Sequence, residues 1–147
     1  MKKNTLAALA AAAAVGAAGW YLAAGSRKKA VDHIRREAKR LLTVRADELA
    51  ALRDAAEAGE LAADALGPVP LDGVELESVR MEQGAAVVAL GSPRAAAWLS
   101  SQPLDRLGVR SVPWHGSARP GVLYTEYLGH GWYAGYACRN WSGHAAD

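Results

Sequence analysis

The chain has no phenylalanine, one isoleucine (Ile34), one cysteine (Cys138) and two methionines in 147 residues. Each scarcity excludes something. A lone cysteine cannot form an intramolecular disulfide, so no covalent staple supports the fold. Without Phe, the bulk of any core must come from Trp and Tyr, of which there are five each. Neither G-x-x-x-x-G-K nor G-x-G-x-x-G occurs, which removes the glycine-rich phosphate and dinucleotide loops. The soft ligands of the C-terminal part, His115, His130, Cys138 and His144, lie 15, 8 and 6 residues apart. Zinc sites in short chains declare themselves by pairs two to five residues apart, so no metal and no cofactor is expected. Abundant alanine and glycine, with arginine far outnumbering lysine beyond residue 39, fit a GC-rich bacterial genome.

The formal net charge of +2 conceals a split. Lys2 and Lys3 open the chain, and residues 27–45 hold eight basic groups against Asp32 and Glu37. From Ala46 to Asp147, seven Arg face thirteen acids, a net −6. A nucleic-acid-binding domain needs its own basic face, and this acidic body offers none, so no nucleic-acid partner is expected.

Between Lys3 and Arg27 the stretch from Thr5 to Ser26 carries no charge. Twenty-two helical residues at about 1.5 Å each reach roughly 33 Å, enough for a hydrocarbon core of about 30 Å. Arg27, Lys28 and Lys29 follow at once, and Trp20 and Tyr21 stand where interfacial aromatics sit. Residues 1–29 are therefore expected to be a transmembrane anchor with a basic flank, its lipid contact through residues 5–26. The basic excess on the C-terminal side puts the body in the cytoplasm of a single-pass cell-membrane protein. The competing expectation is an exported protein whose signal peptide is removed near Gly16-Ala17-Ala18 or Ala23-Ala24-Gly25.

From Ala30 to Ala58 there is no Gly or Pro. At 100° per residue, Val31, Ile34, Ala38, Leu41, Leu42, Leu49, Leu52 and Ala56 share one apolar stripe, interrupted only by Arg45. Such a helix can dock on the chain's own sheet, self-associate over residues 30–58 as a short coiled coil, or lie along anionic headgroups. Gly59 is placed to end it, "ELAADAL" can add two further turns, and Gly67-Pro68-Val69-Pro70 closes an amphipathic segment spanning 30–67.

Residues 68–147 read as a small α+β domain with an antiparallel sheet of about five strands. "VELESVRM" and "AAVVALG" form strands around a turn at "EQG". Ser92-Pro93 is a helix-start signal, which predicts a short helix over "PRAAAWLSS" with Trp98 facing the core. "VRSVPW" is an edge strand, because Pro113 lacks a ladder N–H. The stretch "LYTEYLGHGWYAGYACRNW" gathers six of the ten Trp and Tyr residues. It predicts a hairpin turning at Gly129-His130-Gly131, with Leu128 opposite Trp132, Tyr124 opposite Tyr136 and Val122 opposite Cys138.

For chemistry, Cys138 as nucleophile with His130 as base is the enzymatic alternative. Six residues of strand hold them roughly 20 Å apart, which disfavours it. Glu126 stands as an isolated carboxylate among aromatics, with no second acid placed for a two-carboxylate mechanism. The expectation is a non-enzymatic, membrane-anchored interaction or structural module. Its possible interaction surface is Tyr127, Tyr133, Trp132, His130 and Trp141, since large rings on both faces of one hairpin cannot all enter one core.

Overall fold

The computed structural model describes residues 26–62, 64–116 and 118–139. The candidate span from Thr5 lies outside them except for Ser26, as do Trp141 and His144. No helix among the described residues is long and apolar enough to cross a membrane.

Helix α1 covers 26–44 and α2 covers Ala46–Glu57. The step between them is a kink and not a loop. The Arg45 N–H donates to the Leu41 carbonyl at 2.8 Å and the Leu49 N–H to the Arg45 carbonyl at 2.9 Å, so the helical ladder runs through. Arg45 is the residue that interrupts the apolar stripe, and the kink frees its guanidinium to reach Glu48 at 2.7 Å. Gly59, at φ 73°, closes α2. Its N–H donates to Ala56 and that of Glu60 to Ala55, the paired bonds that satisfy the last carbonyls of a helix ending in a left-handed residue. The two further turns expected over "ELAADAL" are not helix at the described residues 60–62 and 64–66.

All eight stripe residues are buried, and they share one core with the sheet. Docking on the chain's own strands is thus what the stripe does.

The sheet has six strands in the order β1-β2-β3-β6-β5-β4. They are β1 (Glu75–Glu82), β2 (Ala85–Gly91), β3 (Ala95–Ser100), β4 (Val112–Pro113), β5 (Tyr124–Gly129) and β6 (Trp132–Cys138). The β1–β2 turn puts Gln83 and Gly84 at φ 49° and 78°, the mirror-image turn whose twist suits a hairpin.

The segment expected as a short helix is strand β3, paired with β2 from Val87↔Ser100 to Gly91↔Ala96 and with β6 from Ala95↔Cys138 to Ser100↔Tyr133. Alanine's helix preference loses to tertiary context. A helix here would leave β2 and β6 without a partner along one edge each, and unpaired buried main-chain groups cost more than propensity supplies. Ser92 does cap, but it caps a turn: its Oγ accepts from the Ala95 N–H at 3.1 Å. Both β2 and β3 are buried along their whole length.

The sheet is mixed and not purely antiparallel, because β4 runs parallel to β5 through Val112↔Tyr124 and Pro113↔Thr125. Pro113 does lie at the edge. The other face of the sheet is covered by a 3-10 turn, Leu104–Leu107, whose Leu104 and Leu107 pack with Val109, Trp98 and Leu123 in a second core. Trp98 is buried there, on the side away from the helices.

Candidate functional site

Strand alternation sorts the aromatics of the last hairpin. Tyr124, Trp132 and Tyr136 point to the helices and are buried. Tyr127 and Tyr133 point the opposite way, with ring centroids 4.9 Å apart, and Tyr127 is 57% exposed. Tyr124 pairs with Tyr136 as expected, but Trp132 faces Gly129 and not Leu128. A register shift between Tyr127 and Gly129 absorbs the odd residue, leaving His130 and Gly131 as a two-residue turn at φ 56° and 80°. Arg53 of α2 clamps that turn, its Nη1 donating to the His130 carbonyl at 2.9 Å. Of the surface expected from the sequence, the structure thus brings Tyr127 and Tyr133 together on one face and puts His130 at the exposed tip. Trp132, 1% exposed, belongs to the core and offers no surface. Trp141 lies outside the described residues.

Glu126 is not isolated. Alternation turns it towards α1, where Arg35 forks onto it with Nε to Oε2 at 2.6 Å and Nη2 to Oε1 at 2.7 Å. Lys39, one helical turn on, reaches Oε1 at 3.1 Å, and the Tyr136 hydroxyl donates to Oε2 at 3.2 Å. Arg35 also lies over the Trp114 ring, 5.7 Å from its centroid, and Trp114 meets Tyr124 and Tyr136 edge-on. Burial alone would raise the Glu126 pKa, but hydrogen bonds and charge from Arg35 and Lys39 outweigh it and hold the carboxyl below its usual value. The same bond raises Arg35. Burial, reinforced by the adjacent Glu126 charge, pushes the Tyr136 phenol far up. A carboxylate with four bonds of this kind and a depressed pKa is a poor proton acceptor. Its work is to lock α1 to β5.

Cys138 is buried at the far end of β6 from His130, and burial raises its thiol against the opposing charge of Arg27. A thiol shifted in that direction is a poorer nucleophile. A trio that sequence reasoning missed, His33, Glu37 and Asp72, brings potential ligand atoms within 4.8 Å of one another. His33 and Glu37 share a helix face at i, i+4 spacing, while Asp72 comes from a distant loop. Two of the three are already engaged: His33 Nε2 lies 2.6 Å from the Asp72 carbonyl, and Glu37, 8% exposed, accepts from Arg40 at 3.0 Å.

The remaining feature is on the outer face. An open groove of about 440 Å³ runs between the 3-10 turn and the sheet edge, bordered by Pro103, Pro113, Thr125, Tyr127 and Tyr133. The Val112 and Trp114 N–H groups donate to the Leu123 and Thr125 carbonyls, so Leu123, just before β5, and Thr125 within it turn their carbonyls towards β4. By alternation Tyr127 turns its N–H and C=O the same way, at a level where β4 has already ended. Compared with known protein families, curated proteins and solved structures, the chain matches none.

Proposed function

We propose that this chain is a membrane-tethered, non-enzymatic bacterial binding module. Residues 5–26 are the tether, and the body takes a protein partner on the Tyr127–Tyr133 face. The observation that carries this reading is the exposed Tyr127 ring tilted against Tyr133, on a groove beside the part of β5 that, among the described residues, β4 does not pair. Tyrosine is among the residues that anchor protein interfaces, and an open strand edge supplies main-chain bonds to an extended segment. Supporting it further, Glu126 is engaged by Arg35, Lys39 and Tyr136, and Cys138 is buried far along β6 from His130.

The uncharged run, its basic flank and the positive-inside rule support a cytoplasmic body. The test has two parts. Alkaline extraction of membranes should retain full-length chain, whereas a mature chain beginning near residue 26 would make it an exported protein. A photo-crosslinking residue at position 127 should give a discrete adduct in cells. The same probe at Ala58, an exposed position beside the end of α2, should give none.

A further inference from the structure

The end of the sheet next to Ser26 concentrates arginines that partner binding does not use. Arg27 comes from α1, Arg94 from the turn between β2 and β3, and Arg139 from just beyond β6. With Ser26, Pro120 and Cys138 they line one cleft of about 330 Å³. Arg94 and Arg139 face each other across adjacent strands, one step past the Ala95↔Cys138 pair, and the Arg139 N–H donates to the Arg94 carbonyl at 2.9 Å. Like charges placed opposite one another destabilise a sheet. Among the described residues only one of the three guanidiniums meets a carboxylate: Arg139 Nη1 lies 2.8 Å from Glu77 Oε1. The Arg27 Nε is buried and, among the described residues, has no hydrogen-bond partner. A buried charged donor left unbonded is costly, and here it borders a cleft already rich in positive charge.

Planar guanidiniums lining one cleft suit the oxygens of a phosphate, which such groups bind by paired, charge-assisted hydrogen bonds. We infer that this cleft binds a phosphate ester, and that the ester is the headgroup of an anionic phospholipid. The lipid source rests on the tether reading: the apolar run ends at Ser26, which itself lines the cleft, so a run embedded in the bilayer puts the cleft at headgroup level. Lys28, next in sequence, is spoken for by Asp32 at 2.8 Å. Bound there, a headgroup would take hydrogen bonds from Arg27 and screen Arg94 from Arg139. It would also set which end of the sheet meets the bilayer, because Tyr133 lies five residues along β6 from Cys138, roughly 16 Å of strand away.

The experiment uses the full chain in neutral detergent. It is titrated by calorimetry with sn-glycerol 1-phosphate and with inorganic phosphate, and is then compared in nanodiscs of phosphatidylcholine with and without phosphatidylglycerol. Wild-type protein should bind glycerol phosphate, and the double variant R27Q/R94Q should weaken that binding roughly tenfold or more. K28Q/K29Q, which removes equal charge outside the cleft, should leave it unchanged. R94Q alone, at an exposed turn, serves if Arg27 proves necessary for folding. Equal losses in both double variants, or no binding of either phosphate by wild-type protein, overturn the site. Binding of inorganic phosphate as tight as that of the ester, with no enrichment of phosphatidylglycerol, overturns the lipid source. Because glycerol phosphate needs no bilayer, its binding by a chain recovered wholly in the aqueous fraction would sink the tether and leave the cleft standing.

Discussion

The two faces of the terminal hairpin carry the same residue type and do different work. Tyr124 and Tyr136 point to the helices, where they are buried, packed edge-on by Trp114 and, through Tyr136, bonded to Glu126. Tyr127 and Tyr133, on the same two strands, point to a groove and to solvent. Position along the strand decides which ring stabilises and which is left to bind, since a single-residue step reverses the face. The bulge near Leu128 is what keeps that assignment, because it lets a two-residue turn close while Tyr124 still meets Tyr136.

The sharpest way to break the contrast is to empty the helix-facing side. Trp132→Ala removes the largest fully buried side chain and should cost about 3–5 kcal/mol, read by urea unfolding. For so small a body that approaches the whole of its stability. Crowding the opposite side comes next. A methyl group at Gly135 would lie 2.8 Å from Leu104 Cδ1 and 3.1 Å from Leu123 Cδ1, so Gly135→Ala should cost about 1–3 kcal/mol and loosen the 3-10 turn. Hydrogen exchange should show that loosening at 104–109 before it reaches the helices.

Glu126→Gln tests the lock between α1 and β5. Both partners keep some solvent contact, so the loss should be smaller, about 1–2 kcal/mol. Its pH dependence has a definite sign. The folded carboxyl sits below the ordinary value of 4.5, so its contribution is complete above that value and disappears as pH falls through the lowered one. The gap in melting temperature between wild type and E126Q should therefore narrow below about pH 4.5 and stay constant above it. The smallest effect on stability belongs to the outer rings: Tyr127→Ala, which gives up the bond its hydroxyl accepts from the Gly131 N–H at 3.1 Å, should change it by about 1 kcal/mol or less.

Much of the architecture was readable because it is periodic. The eight residues of the stripe from Val31 to Ala56 are all buried, and turn residues located the β1–β2 and β5–β6 hairpins. Three features escaped for identifiable reasons. The β3 segment is mostly alanine, which prefers a helix and carries no alternation, and only its two strand neighbours make it extended. Strand β4 was expected at the edge, but its direction was not: only two residues pair, parallel to β5, and no residue pattern records which way a strand that short runs. The Glu126 lock joins residues 91 positions apart. The one trace it leaves in the sequence is that Arg35 and Lys39 stand at i, i+4 spacing, on a single face of α1.

The most direct measurement pairs stability with partner recovery in the double variant Y127A/Y133A, expressed as the full chain with the crosslinking probe moved to Thr125. A division of labour between the two faces predicts a melting temperature within about 4 °C of wild type, together with loss of the adduct. A variant that unfolds, or one that folds and still captures the same partner, would contradict it.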